Sequence, residues 1–164
     1  MEQLTLAKQL VSRLLTLEKK ITTAESCTGG GISAAITDVA GSSSVFEYGF
    51  VTYSNKAKQD LLGVQDCTLQ NYGAVSSQTV EEMAKGALTA AGADLAISIS
   101  GIAGPGGGSE TKPVGTVWFA IANLDNQNNQ ISVTTDHQCF SGDRIEVRRK
   151  SVKHALELAL SKLD

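Results

Sequence analysis

The sequence has little of the material that several classes of protein require. Its 164 residues include only two prolines, two histidines and three cysteines, and 5% of them are aromatic. Cys27, Cys67 and Cys139 are odd in number and far apart, which is typical neither of a disulfide framework nor of a zinc site. We interpret all three as reduced thiols.

A basic surface and a long apolar run are also missing. Fourteen basic and 17 acidic side chains are interspersed and give a net charge of −3, whereas binding to a nucleic-acid backbone needs a concentrated basic face. Glu2, Lys8 and Arg13 interrupt the first leucine pattern, and no apolar run approaches the ~18 residues of a membrane span. We therefore expect a cytoplasmic protein that binds neither nucleic acid nor membrane.

The sequence does contain alternating strand and helix patterns. Apolar and β-branched runs typical of strands occur at 21–24, 45–54, 95–100, 114–122 and 131–140. Helical spacing of apolar residues occurs at 4–18, 29–41, 55–62, 77–91 and 143–163. Ser76 or Ser77 is expected to cap the fourth of these helices. The residues expected to form the apolar faces are Leu4, Val11, Leu14, Leu15 and Leu17 in the first helix and Val147, Val152, Ala155, Leu156, Ala159 and Leu163 in the last. The polar turn at 125–130 predicts a hairpin. The pattern predicts one α/β domain over 1–164, a three-layer α/β/α sandwich with a mixed, mostly parallel sheet.

The stretch TTAESCTGGG, residues 22–31, places three nucleophilic side chains directly before three glycines. Where a strand turns into a helix, the unpaired N–H groups of the helix can stabilise an oxyanion and activate a nucleophile. The alternative is structural, because Ser26 or Thr28 can simply cap the helix. The residues alone favour the cap.

A second glycine-rich loop, GIAGPGGGSETKP at 101–113, follows the third predicted strand. Ligands of such sheets bind beyond the carboxyl ends of the strands, so both glycine loops could line one pocket. Neither loop has the ending of a P-loop or the spacing of a dinucleotide fingerprint. Each loop could therefore equally be a tight turn.

Any serine nucleophile here needs a base. His137 and His154 show no local signature of a catalytic triad. A lysine base remains possible, and it would have to meet the serine across the fold. TYSNKAK, at the end of the second strand, offers Tyr53, Lys56 and Lys58. Solvent exposure is nevertheless the ordinary state of such lysines.

Five segments between about Thr22 and Arg149 together resemble the CinA C-terminal-domain family. This resemblance favours a catalytic interpretation of the serine and the lysine over the structural one. The segments are TTAESCTGGG, DVAGSSSVFEYGFVTYSNKAK, YGAVSSQTVEEMAKGAL, SISGIAGPGGGSETKPVGTVWFAIA and FSGDRIEVRR. The resemblance implies an α/β/α fold with a mixed sheet. For stand-alone members it implies hydrolysis of nicotinamide mononucleotide to nicotinate mononucleotide and ammonia, without a metal or another cofactor.

Carried over by position, the resemblance implies that Ser26 is the nucleophile, that Lys58 is its base and that Tyr53 shares the site. Ser100 stands where many relatives have Thr, and Arg144 matches a family arginine. Backbone N–H groups around Cys27 to Gly30 are expected to form the oxyanion hole. The backbone N–H groups of GPGGGS, with Ser109 and Arg144 or Lys112, are expected to contact the phosphate. The expected substrate contacts are Cys27, Thr28, Gly29, Gly30, Ser100, Gly101, Gly104, Gly106, Gly107, Gly108, Ser109 and Arg144.

Three further predictions concern the rival nucleophile, the alternative to an enzyme and the oligomeric state. Cys27 is the rival nucleophile, since a thiol at a helix N-terminus can ionise near neutral pH, but we expect it to be structural. A non-catalytic nucleotide-binding or regulatory module that retains the pocket is the alternative to an enzyme. A homodimer is expected, because family members commonly associate and two-fold dimers are the most frequent assembly.

Overall fold

The computed structural model describes residues 2–163, which form five strands and six α-helices. The strands are β1 (Ile21–Glu25), β2 (Phe46–Val51), β3 (Leu95–Gly101), β4 (Thr116–Asp125) and β5 (Gln130–Cys139). The helices are α1 (Glu2–Thr16), α2 (Gly31–Thr37), α3 (Asn55–Leu62), α4 (Asp66–Tyr72), α5 (Ser77–Ala91) and α6 (Arg144–Ser161). Ser76 caps α5 as predicted, because its hydroxyl accepts the N–H of Thr79.

The five strands form one sheet in the order β2-β1-β3-β4-β5. β1 is parallel to both β2 and β3, whereas β4 is antiparallel to β3 and β5. The sheet is mixed, as predicted, but its parallel pairs do not predominate. The reason is that β4 follows β3 through the loop at 102–115 and not through a crossover helix, so it returns beside β3 in the opposite direction.

Helices cover both faces of the sheet, which confirms the three predicted layers. On one face α1, α2 and α6 pack against large side chains such as Ile97, Ile99 and Phe119. On the other face α5 packs against small strand residues, including Ala96, Ala120 and Ala122. Small residues on that face allow the helix to approach the strands closely.

Two helices differ from the sequence expectation. In α1 the buried stripe consists of Ala7, Leu10, Val11 and Leu14, while Leu4, Leu15 and Leu17 of the expected pattern are exposed. The stripe follows the spacing i, i+3, i+4, i+7, to which Ala7 contributes although its side chain is small. Helix α4 was not predicted, because its sequence DCTLQNY is mostly polar.

The connections between strands create a crevice at one edge of the sheet. After β1 the chain turns into α2 on one face, and after β2 it enters α3, α4 and α5, of which α5 covers the other face. The two connections therefore diverge at the carboxyl ends of neighbouring parallel strands. This is the position at which open α/β sheets bind their ligands.

Gly86, in the middle of α5, allows α5 and α3 to touch. A Cβ atom added at Gly86 would lie 1.9 Å from the carbonyl oxygen of Leu62, the last residue of α3. Alanine normally favours a helix over glycine by about 1 kcal/mol. We expect the opposite sign here, because the clash forces the two helices apart.

Gly86→Ala should therefore lower the free energy of unfolding by about 2 kcal/mol or more, measured by urea denaturation. Gly106→Ala is the matched control, since a Cβ at Gly106 would meet no atom within 4 Å. Equal stability of the two variants would contradict the packing argument.

Candidate active site

Ser26 lies directly after β1, at the edge of the sheet where the crevice opens. Its N–H donates to the carbonyl oxygen of Ile99 at 3.0 Å, which continues the pairing of β1 with β3 by one residue. The Oγ atom of Ser26 lies 3.0 Å from Nζ of Lys58 in α3. The fold thus brings the two residues of the predicted pair together across 32 positions of sequence.

Lys58 is only 1% exposed, so this lysine is not at the surface. Its amine donates to the carbonyl oxygens of Thr52 at 2.9 Å and Tyr53 at 3.2 Å. Among residues 2–163 no carboxylate forms a salt bridge with Lys58. Burial therefore lowers the pKa of Lys58 to about 8, because the charged form loses hydration without gaining a counter-ion.

The hydrogen bonds of Lys58 suit a neutral amine. A neutral amine has two N–H groups and one lone pair, and the two backbone carbonyls take up both N–H groups. When Lys58 is charged, its third N–H donates to Ser26 Oγ at 3.0 Å, and the Ser26 hydroxyl donates to the carbonyl oxygen of Tyr53 at 3.4 Å. When Lys58 is neutral, its lone pair can accept the Ser26 proton along the same 3.0 Å contact. The arrangement can therefore remove a proton from Ser26 Oγ.

The turn after Ser26 needs its glycines for different reasons. Gly29 and Gly30 have φ of +59° and +100°, in the left-handed region that side chains disfavour. Gly31 begins α2, and a Cβ atom there would lie 2.9 Å from Cγ2 of Val152. The first two glycines thus shape the turn, and the third allows α2 to pack against α6.

Glu25 accepts hydrogen bonds from the turn after Ser26 and from the start of α2. Sequence reasoning missed this residue. It is fully buried, and its carboxylate accepts from the hydroxyl of Thr28 at 2.7 Å and from the N–H groups of Ile32 and Ser33. The hydroxyl of Ser33 is a fourth donor, at 2.8 Å. A carboxylate between a strand and a glycine turn was the available signal, because helix N-termini favour negative charge.

Cys27, the rival nucleophile, is buried. Loss of hydration raises the pKa of its thiol to about 12, so that the thiolate is scarce near neutral pH. The thiol therefore lacks the ionisation that a cysteine nucleophile requires.

A cleft of about 210 Å³ lies in front of Ser26. Its lining includes seven of the predicted site residues, namely Ser26, Cys27, Tyr53, Lys58, Ser100, Gly101 and Arg144. Sequence reasoning missed four lining residues, Asn55, Ala74, Val75 and Ala103. Of these, only Asn55 carried a signal, as the polar first residue of the helix that contains Lys58.

Arg144, the first residue of α6, joins two segments at the mouth of the cleft. Its guanidinium donates to the carbonyl oxygen of Gly104 at 2.8 Å and to the hydroxyl of Tyr53 at 3.0 Å. An aspartate capping box at Asp143 fixes the start of α6. Arg144 therefore has a defined position despite its exposure.

The other predicted contacts lie outside the cleft lining. Thr28 faces Glu25, while Gly29 and Gly30 form the turn. Gly104 contacts the site through Arg144. The exposed segment Gly106, Gly107, Gly108 and Ser109 is not part of the lining.

Neither of the two histidines lines the cleft. His137 packs on Trp118, and His154 contacts Asp136. Within residues 2–163 no group of three or more His, Cys, Asp or Glu side chains is arranged to hold a metal ion. None of the helices described there has both the length and the apolar character to cross a membrane.

Comparison with known proteins places these features in context. The family model of the CinA C-terminal domain matches residues 3–163. Nicotinamide-nucleotide amidohydrolase PncC of Enterobacter agglomerans is 60% identical over 85% of this chain and 82% of its own. The PncC protein of Escherichia coli K12 is 54% identical over 95% and 92%, respectively. A crystal structure of a CinA superfamily protein from Klebsiella pneumoniae 700603 has a TM-score of 0.90 at 40% identity, covering 98% of this chain and 97% of that one.

The burial of Cys27 gives a direct test by alkylation of the folded protein. Cys67 and Cys139 are exposed and serve as internal controls. We expect iodoacetamide at pH 8 to modify both controls at least about a hundredfold faster than Cys27, because thiolate content and access govern the rate. Mass spectrometry of peptides measures the three rates. Modification of Cys27 as fast as the controls would contradict the assignment of a buried, protonated thiol.

Proposed function

This chain belongs to the CinA C-terminal domain family, and from that premise we propose that it hydrolyses the carboxamide of nicotinamide mononucleotide to give nicotinate mononucleotide and ammonia. The observation that carries the proposal is the 3.0 Å contact between Ser26 Oγ and a buried Lys58 amine. The names of the similar PncC proteins supply the substrate class. The reaction would return a pyridine nucleotide to NAD synthesis in the cytoplasm.

In the proposed acylation step, Ser26 Oγ attacks the carboxamide carbon and Lys58 takes the hydroxyl proton. The new C–O bond displaces the carbonyl π electrons onto oxygen, which forms a tetrahedral oxyanion. Collapse of that intermediate breaks the C–N bond. The electron pair leaves with nitrogen, which receives the proton from Lys58 and departs as ammonia.

The oxyanion needs donors that are not already engaged. The N–H of Gly29 donates to Ser26 O, and the N–H of Gly31 donates to Thr28 O. The N–H groups of Cys27 and Thr28 donate to no oxygen atom in the described chain, although the Cys27 N–H lies near its own sulfur. Both N–H groups belong to the turn that directly follows Ser26. We assign the oxyanion to these two groups, which narrows the sequence expectation of Cys27 to Gly30.

In the deacylation step, water attacks the ester of Ser26 while Lys58 accepts its proton. The same oxyanion donors act again, and collapse breaks the bond between the acyl carbon and Ser26 Oγ. The proton on Lys58 returns to the serine oxygen. Nicotinate mononucleotide is released, and the enzyme is restored without a metal ion.

Recognition of the nucleotide falls to the mouth of the cleft. Arg144 uses two N–H directions for Gly104 and Tyr53, and its guanidinium has further donors for an anionic group. The exposed residues Gly106 to Gly108 follow Gly104, which Arg144 contacts at the mouth of the cleft. We expect their backbone N–H groups, together with Ser109 and Lys112, to assist in binding the phosphate. We therefore expect the mononucleotide to be preferred over free nicotinamide.

The proposal is tested by the release of ammonia from nicotinamide mononucleotide, with nicotinate mononucleotide identified by chromatography. We expect turnover that EDTA leaves unchanged and that free nicotinamide does not match. Ser26→Ala and Lys58→Ala should each lower kcat by at least about a thousandfold, because each removes part of one proton-transfer unit. The double variant should be scarcely slower than either single one.

Cys27→Ser is the matched control for these variants, since it changes the neighbouring side chain and should cost far less. Binding of the mononucleotide without any turnover by the wild type would favour the non-catalytic nucleotide-binding or regulatory module. Loss of turnover in Cys27→Ser, with activity retained in Ser26→Ala, would contradict the assignment of the nucleophile.

The pKa of Lys58 predicts a pH dependence. The amine accepts a proton only when neutral, and its pKa is lowered to about 8. We therefore expect kcat/KM to rise with pH, tenfold per unit below about pH 8, and to level off above it. Cys27→Ser should keep this profile. A rate that is constant between pH 6 and 9, or that falls as the pH rises, would show that Lys58 is not the base.

A further inference from the structure

Arg148, in α6, contacts the glycine turn that directly follows Ser26. The Nε atom of Arg148 donates to the carbonyl oxygen of Cys27 at 3.1 Å, and Nη2 donates to the carbonyl oxygen of Thr28 at 3.0 Å. These contacts join segments about 120 residues apart. Arg148 forms no salt bridge with any carboxylate among residues 2–163, so its guanidinium binds backbone.

The carbonyl contacts fix the directions of particular N–H groups. In a trans peptide the C=O and the following N–H lie in one plane and point in opposite directions. The carbonyl of Cys27 shares its plane with the N–H of Thr28. A donor that holds Cys27 O on the α6 side therefore aims the Thr28 N–H away from α6.

The neighbouring peptide planes are fixed by related contacts. The carbonyl of Ser26 shares its plane with the N–H of Cys27 and accepts the N–H of Gly29 at 3.0 Å. That Gly29 N–H shares its plane with Thr28 O, which Arg148 holds together with the N–H of Gly31. Arg148 thus acts on one of the two oxyanion donors directly and on the other through Gly29.

We propose that Arg148 is a positioning residue that orients the N–H groups of Cys27 and Thr28 toward the oxyanion formed on the substrate of Ser26. The inference rests on the proposed acyl transfer at Ser26. Arg148 itself does not touch the reacting atoms and does not line the cleft. Its effect should therefore appear in the transition state and not in the binding of substrate.

The geometry requires arginine in particular. The planar guanidinium presents two N–H directions at a fixed angle, whereas the ammonium of lysine is a single point of attachment. The guanidinium also packs beside Gly29, where an added Cβ atom would be in ordinary van der Waals contact with Nη2 of Arg148 at 3.6 Å. Arg148→Lys keeps the charge and removes the two-carbonyl contact.

The first experiment compares steady-state kinetics of the full chain in Arg148→Lys and in Arg149→Lys, its exposed neighbour on α6. We expect Arg148→Lys to lower kcat about 10- to 100-fold, a fraction of the loss caused by deleting an oxyanion donor, and to change KM less than about threefold. Arg149→Lys should match the wild type. A KM effect without a kcat effect, or equal behaviour of both variants, overturns the inference.

The second experiment separates this inference from the choice of substrate. A fluorophosphonate forms a bond from phosphorus to Ser26 Oγ and releases fluoride, while Lys58 takes the hydroxyl proton and the same N–H groups stabilise the phosphoryl oxygen. Labelling at Ser26, followed by mass spectrometry, should slow about 10- to 100-fold in Arg148→Lys and in Arg148→Gln, and remain unchanged in Arg149→Lys.

The outcomes of the labelling experiment are distinct. Normal labelling of the wild type and slowed labelling of the Arg148 variants, without ammonia release, would contradict the proposed substrate and support the role of Arg148. Labelling of both Arg148 variants at the wild-type rate, or a wild-type Ser26 that resists the probe, overturns the inference. Thermal unfolding identifies the variants that are folded at the assay temperature, and one folded Arg148 variant is sufficient for the comparison.

Discussion

The burial of one amine without a counter-ion is the constraint on which the site depends. The exposed fraction of Lys58, in the first turn of α3, is 1%, and its amine has three oxygen atoms as hydrogen-bond partners. A carboxylate at this position would hold the amine in its charged form and remove its capacity to accept a proton. Backbone carbonyls accept from the N–H groups without adding a negative charge, so the pKa of Lys58 stays lowered, at about 8, and a fraction of the amine is neutral near neutral pH.

The second buried charge, Glu25, is kept apart from Lys58 by its own partners. Its carboxylate oxygens receive four hydrogen bonds from Thr28, Ile32 and Ser33, all on the α2 side of the turn. Satisfied in this way, Glu25 stabilises the N-terminus of α2 and does not pair with the amine. The turn that carries Ser26 is therefore fixed by Glu25 from within and by Arg148 from α6.

Most of the element order could be predicted from sequence, because strands and helices differ in the period of their apolar residues. The buried face of α6 was predicted correctly, from Val147 to Ala159. The buried face of α1 was not, since large leucines were weighted above Ala7, and a helix face is decided by what it packs against. The balance of parallel and antiparallel pairs also depended on the path of a loop that has no periodic signal.

By itself, the sequence determined the strand, the glycine turn and the place of Ser26 between them, because left-handed turns and helix starts are local properties. It also carried the resemblance that pointed to Lys58. Only the tertiary structure decided that this lysine is buried, that burial raises the pKa of the Cys27 thiol and that Gly106 to Ser109 lie outside the cleft lining. The contacts of Arg148 belong to the same class. The pKa of a group depends on the solvent and the charges around it. A backbone carbonyl accepts a hydrogen bond from whichever side chain the fold brings near. The surroundings of the group and the donor to the carbonyl are both set by segments distant in sequence.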